Sequence, residues 1–126
     1  NIKVKPYLYN MPQAMAIADL AIFRAGATGL AELTAKGIPA ILVPYPYAAE
    51  NHQEHNARAV EKAGAARVIL NKDLTAQGLI QAIDELIGKP EKLQAMAKAS
   101  AKLGRPEAAD TISELIIELA RDRQNC

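Results

Sequence analysis

The run Phe23-Arg24-Ala25-Gly26-Ala27-Thr28 sets a glycine and a hydroxyl between an apolar stretch, Leu20-Ala21-Ile22-Phe23, and a helical pattern over Leu30–Lys36. A strand that feeds a helix through such a turn leaves the first backbone N–H groups of the helix unpaired. They stand at the positive end of its dipole, which suits a phosphate. Gly26 lets a ligand come close to the backbone, and Thr28 can donate a hydroxyl or cap the helix. A single glycine turn is a weak motif, so from spacing alone an ordinary strand-to-helix turn capped by Thr28 is an equal reading. The run is neither a G-x-G-x-x-G fingerprint nor a Walker loop, because no Gly-Lys-Ser/Thr follows. Glu32 stands one helical turn beyond Thr28, where a carboxylate can accept hydrogen bonds from ribose hydroxyls. On position alone a solvated surface Glu is the commoner case.

A second polar cluster, Glu50-Asn51-His52-Gln53-Glu54-His55-Asn56, opens a helix after an apolar strand that ends at Pro44. Its amides both donate and accept, which suits sugar hydroxyls, and Gln53 and Asn56 share a helix face. His52 and His55 share a face too, but no third ligand completes a zinc set, so no metal is expected. Ser100 and Ser113 stand in helical contexts with no His at hand, which argues against nucleophilic catalysis.

The elements that position these residues alternate. Strands are expected at Ile2–Leu8, Leu20–Phe23, Pro39–Pro44 and Arg67–Leu70. Helices are expected at Met11–Ala18, with Asn10 as cap, at Leu30–Lys36, closed by Gly37, and at Asn51–Ala63. Three more follow at Thr75–Ile87, capped by Asp73 or Thr75, at Pro90–Leu103 and at Pro106–Arg121. The last carries Ile112, Leu115, Ile116 and Leu119 on one face. This order predicts an α/β fold, a Rossmann-like parallel sheet flanked by helices, in which both polar clusters meet at the carboxyl edge of the strands. Doubly wound domains usually open on a strand and a glycine-rich turn, and the sequence has no such opening. Either Ile2–Leu8 is the true first strand, or earlier strands belong elsewhere.

Half of the 126 residues are hydrophobic, with one Phe and no Trp, which suits helices on a sheet better than an all-β sandwich. Fifteen Lys and Arg against fourteen Asp and Glu give a formal charge of +1, and no basic stripe points to nucleic acid. The single Cys126 excludes an internal disulfide, and no signal peptide or membrane-spanning run is visible, so a cytoplasmic protein is expected.

Taken together, Pro6-Tyr7-Leu8-Tyr9-Asn10-Met11, Ala18-Asp19-Leu20 and Arg24-Ala25-Gly26-Ala27-Thr28 with Glu32 resemble the C-terminal domain of the MurG family of glycosyltransferases. So do Gly37–Pro44 and Asn51-His52-Gln53 through Asn56-Ala57, and the resemblance runs from about Val4 to Leu119. These are UDP-N-acetylglucosamine transferases that complete the lipid-linked disaccharide of peptidoglycan. The wider family that includes glycolipid glucosyltransferases shares the Gly-Ala-Thr turn and the Asn-His-Gln segment.

The resemblance implies a GT-B architecture, with residues 1–126 as part of the C-terminal, UDP-sugar-binding domain. It places Leu8 near the uracil, Gly26, Ala27 and Thr28 along the diphosphate, and Glu32 on the ribose. Gln53, with His52 and Asn56, would read the sugar, and Arg24 would brace the turn or the nucleotide. No cofactor is implied. The family's first strand with its Gly-Gly-Ser-type loop, and its acceptor domain with the proposed base, find no counterpart here. The resemblance therefore implies a chain inactive alone, with the lipid-linked acceptor met by another domain on the cytoplasmic face of the membrane. If the family's strand order holds, a partner chain, a domain swap or a rearranged sheet would then fill the gap between Ile2–Leu8 and Leu20–Phe23. Two alternatives stay open: a related transferase with another donor or acceptor, and a non-catalytic α/β fragment that self-associates.

Overall fold

A computed structural model describes residues 1–47 and 49–124, Glu50 by its backbone alone; Cys126 lies outside the described residues. Three parallel strands, β1 (Ala21–Phe23), β2 (Ala40–Leu42) and β3 (Ala66–Val68), form one sheet in the order β1-β2-β3. The helices are α1 (Met11–Ala16), α2 (Ala27–Ala35), α3 (His52–Lys62), α4 (Ala76–Ile87), α5 (Pro90–Leu103) and α6 (Ala108–Gln124).

Strand β2 explains why its sequence is an unbroken apolar run. Successive side chains of a strand point to opposite faces. Ala40 and Leu42 enter a core with Leu30 and Leu33 of α2 and Ala57 and Val60 of α3. Ile41, between them, enters a second core with Ala82 and Leu86 of α4 and Met96 of α5. A strand covered on both faces has no polar alternation to show. Helix α5 also packs on α2, where Gly37 closes α2 at φ +67° and a side chain there would meet Ala101 at 3.1 Å. Thr75 caps α4 by accepting from the Gly78 N–H at 3.0 Å.

The expected strand at Ile2–Leu8 does not form. Ile2 and Val4 are 92% and 90% exposed, and the segment pairs with no strand among the described residues. Alternating β-branched residues give a tendency to extend, but a strand is made by its hydrogen-bonded neighbour, which local sequence does not supply. Helix α2 begins at Ala27, earlier than the expected Leu30, and takes in Gly29, where an added side chain would start 3.2 Å from the Phe23 ring. The apolar face of α6 is also uncovered among the described residues, with Ile112, Leu115, Ile116 and Leu119 each more than half exposed.

Across the sheet edge Arg67 of β3 donates to Glu85 of α4 at 2.6 Å. That hydrogen bond, and then the guanidinium charge, hold the Glu85 carboxyl below its ordinary value. The pair's contribution is therefore present at neutral pH and lost as pH falls through that lowered value; both groups are well solvated, so it is small.

Ser100 of α5 is fully buried, and its hydroxyl has no hydrogen-bond partner among the described residues. A buried hydroxyl without a partner costs roughly 1–3 kcal/mol relative to an apolar group. Ser100→Ala is expected to stabilise the chain by about 1 kcal/mol, read as a rise in urea midpoint at unchanged m-value. A lower midpoint would show that the hydroxyl is bonded after all.

Candidate functional site

The carboxyl ends of the three strands release three loops on one side of the sheet, and long polar side chains tie those loops together. Gln53 and Asn56, three apart on α3, grip the loop after β1 from one helix face. The Gln53 Oε1 accepts from the Ala25 N–H at 3.1 Å and from the Tyr45 N–H at 2.9 Å, so one oxygen joins the loops after β1 and β2. Asn56 Nδ2 donates to the Ala25 carbonyl at 3.2 Å. Ala25 is fully buried, and these two side chains satisfy both of its backbone groups. Two donors converging on one oxygen fix the Gln53 amide so that its Nε2 lies toward Gly26, 3.8 Å from where a side chain on that glycine would start.

Arg24 ties the same loops from the other direction. Its Nη1 donates to the carbonyls of Val43 and Pro44 and to Asn71 Oδ1 in the loop after β3. Its guanidinium also lies over the Tyr45 ring, 5.8 Å from the centroid.

Within this frame the turn presents its backbone. Gly26 is the N-cap of α2, in extended conformation at φ −68° and ψ 144°, and among the described residues no side chain caps the helix. The first intrahelical bond there runs from the Leu30 N–H to the Gly26 carbonyl, at 3.0 Å. The amides of Ala27, Thr28 and Gly29 therefore have no intrahelical acceptor, by helix geometry. Thr28 lies inside the first turn rather than at the cap, which removes the capping role. It is exposed, as is Glu32 one turn on. The arrangement can accept an anion on the α2 N-terminus, with hydroxyl and carboxylate groups along the exposed helix face.

The structure thus brings Arg24, Gly26, Ala27, Thr28, Gln53 and Asn56 to one edge, with Glu32 on the adjoining helix surface. His52 is the exposed first residue of α3, beside Gln53. Leu8 is different: it lies half-buried in the irregular segment before α1, outside the hydrogen bonds that gather the loops. Sequence reasoning missed Tyr45 and Asn71. The signal available for both was position, a polar side chain immediately after an apolar strand at the edge where α/β ligands bind.

The site is a shelf rather than an enclosed cavity. Concavities flank it, one of about 280 Å³ lined by Tyr45, Asn51, Glu54 and Asn71, and one of about 340 Å³ between Ala27, Leu30, Asn56 and Val60. A roomier one of about 550 Å³, at Gly104–Ile112, holds none of the candidate residues. Among the described residues no three His, Cys, Asp or Glu side chains gather as a metal site.

The family model for the glycosyltransferase family 28 C-terminal domain matches residues 1–112. A protein of Halothermothrix orenii, named UDP-N-acetylglucosamine–N-acetylmuramyl-(pentapeptide) pyrophosphoryl-undecaprenol N-acetylglucosamine transferase, is 57% identical over 94% of this chain and 32% of its own length. The protein of the same name from Moorella thermoacetica is 54% identical over the same shares. The crystal structure of MurG from Acinetobacter baumannii superposes with a TM-score of 0.83 at 32% identity, over 92% of this chain and 33% of that one. A glycotransferase of kitacinnamycin superposes with a TM-score of 0.59 at 28% identity, over 83% of this chain and 27% of that one. The chain thus spans about a third of the length of these relatives.

Proposed function

The chain belongs to the glycosyltransferase family 28 C-terminal domain family, and from that premise we propose that it binds the sugar nucleotide of an inverting UDP-N-acetylglucosamine transferase. One observation carries the reading most directly: the uncapped N-terminus of α2, held open at the carboxyl edge of the sheet by Gln53 and Asn56. The names of the relatives supply the donor, UDP-N-acetylglucosamine, and a lipid-linked acceptor.

In this reading the amides of Ala27 and Thr28, reached over Gly26, bind the diphosphate. Glu32 accepts from the ribose hydroxyls. Gln53 donates through Nε2 to the sugar, with His52 and Asn56 beside it, and Leu8 lies against the uracil. Arg24 braces the loops and adds positive charge near the phosphates. In the longer enzyme an acceptor hydroxyl forms a bond to the anomeric carbon from the face opposite UDP. The bond from that carbon to the phosphate oxygen breaks, and the acceptor proton passes to a base supplied by the rest of the longer polypeptide. As the leaving diphosphate gains negative charge, the α2 amides stabilise it, an electrostatic contribution available without a metal. These residues bind the donor and stabilise the leaving group, so transfer needs the rest of the longer polypeptide. Among the described residues no helix is long and apolar enough to cross a membrane; contact with the lipid-linked acceptor on the cytoplasmic face is assigned to that remainder.

Calorimetric titration with UDP-N-acetylglucosamine, UDP, UMP and uridine tests the proposal. The diphosphates are expected to bind most tightly, UMP more weakly and uridine least. Equal affinity across the four would remove the diphosphate site. The outer edge of β1, unpaired among the described residues and with Ile22 46% exposed, favours a second reading, self-association along that edge. A concentration-dependent dimer with no nucleotide affinity would support it.

A further inference from the structure

Asn71 opens the short 3-10 helix Asn71–Asp73 after β3. Its Oδ1 accepts the shortest of the bonds from Arg24 Nη1, 2.9 Å against 3.3 and 3.4 Å to the carbonyls of Val43 and Pro44. The two residues are 47 positions apart, so this bond spans the sheet edge from the loop after β1 to the loop after β3. The loop after β2 lies between them and is touched by the same guanidinium through Val43, Pro44 and the Tyr45 ring. Arg24 is exposed. A long side chain in water keeps one rotamer only where its far end is held, because ordering it costs conformational entropy. The two carbonyl bonds are long, and the ring contact is weak at an exposed position. Asn71 supplies the hold.

We infer that Asn71 is a positioning residue for nucleotide binding: it pins the Arg24 guanidinium, and through it the loop after β2, against the turn that leads into α2. The inference rests on the donor-binding reading. Asn71 acts through Arg24 and touches no ligand itself. Its loss leaves the strands and both cores intact, since it contributes to neither.

The test is a double-mutant cycle on the 126-residue chain, with UDP as the probe and thermal unfolding as the fold control. Asn71→Ala is expected to weaken UDP by about five- to twentyfold, at or below the low end of the roughly ten- to hundredfold that one direct hydrogen bond to a charged group is worth, because Asn71 acts through Arg24. In an Arg24→Ala background the same substitution is expected to change affinity by less than about twofold, because the interaction it removes is already gone. An equal penalty in both backgrounds, or no penalty in either, would overturn the inference. Rotation of the Arg24 guanidinium, followed by NMR on the ligand-free protein, reads the clamp separately. It is expected to be hindered in the wild-type chain and free in Asn71→Ala. A wild-type chain that binds no UDP would sink the donor reading while this rotation still decides the clamp. Rotation unaltered by the substitution overturns it.

Discussion

Gly26→Val is expected to abolish UDP binding, raising Kd by at least about a hundredfold, while the chain keeps its fold. The structure of the free chain does not require glycine at this position. Its φ of −68° and ψ of 144° are open to any residue, and the nearest atom to an added Cβ is Gln53 Nε2 at 3.8 Å. Replacing an N-cap glycine by valine costs about 1 kcal/mol at most. What valine does take is the space over the α2 amides, where a phosphate would come within hydrogen-bonding distance. Losing two charge-assisted bonds of about 1.5–3 kcal/mol each accounts for a hundredfold or more. Unfolding and binding measured on the same sample check the claim. An unfolded variant would mean that glycine serves the fold, and a folded variant with native affinity would mean that the phosphates lie elsewhere.

The second large effect separates the two ends of one side chain. Gln53→Ala removes the acceptor shared by Ala25 and Tyr45. Tyr45 can turn to water, but the Ala25 amide is buried, and stranding it costs about 1–3 kcal/mol. Gln53→Glu keeps an oxygen for both amides and removes only the Nε2 donor. Alanine is therefore expected to lower both stability and affinity. Glutamate is expected to hold stability within about 0.5 kcal/mol while weakening UDP-N-acetylglucosamine at least about tenfold, through the lost donor and a charge near the diphosphate. Denaturant midpoints and calorimetric affinities for the two variants check this. Equal stability loss in both would show that the acceptor is not what holds the loops.

The glycine turn, the α/β order and the apolar strands at Leu20–Phe23 and Pro39–Pro44 were legible because each rests on local pattern: runs of apolar residues, a glycine, a change of period. The role of Gln53 and Asn56 was half legible. Their shared face follows from helix spacing, but that face turns onto Ala25, and those bonds join residues 28 and 31 positions apart. The amide groups expected to read sugar hydroxyls thus spend one oxygen and one N–H on holding the turn. Ile2–Leu8 failed for the opposite reason, since its alternation is strand-like and no neighbour among the described residues pairs with it. Asn71 was illegible because a lone Asn after a strand acquires meaning only when Arg24, on another loop, reaches it. Leu8 stays tied to the site by resemblance alone.

Amide chemical shifts during titration with UDP test the central claim most directly, because they report where the ligand sits as well as whether it binds. The largest changes are expected at Gly26, Ala27, Thr28 and Gly29, the amides at the open end of α2, with smaller ones at Ala25, Tyr45 and the Gln53 side chain. A well-dispersed spectrum that stays unchanged at millimolar UDP, or shifts confined to the concavity at Gly104–Ile112, would contradict it.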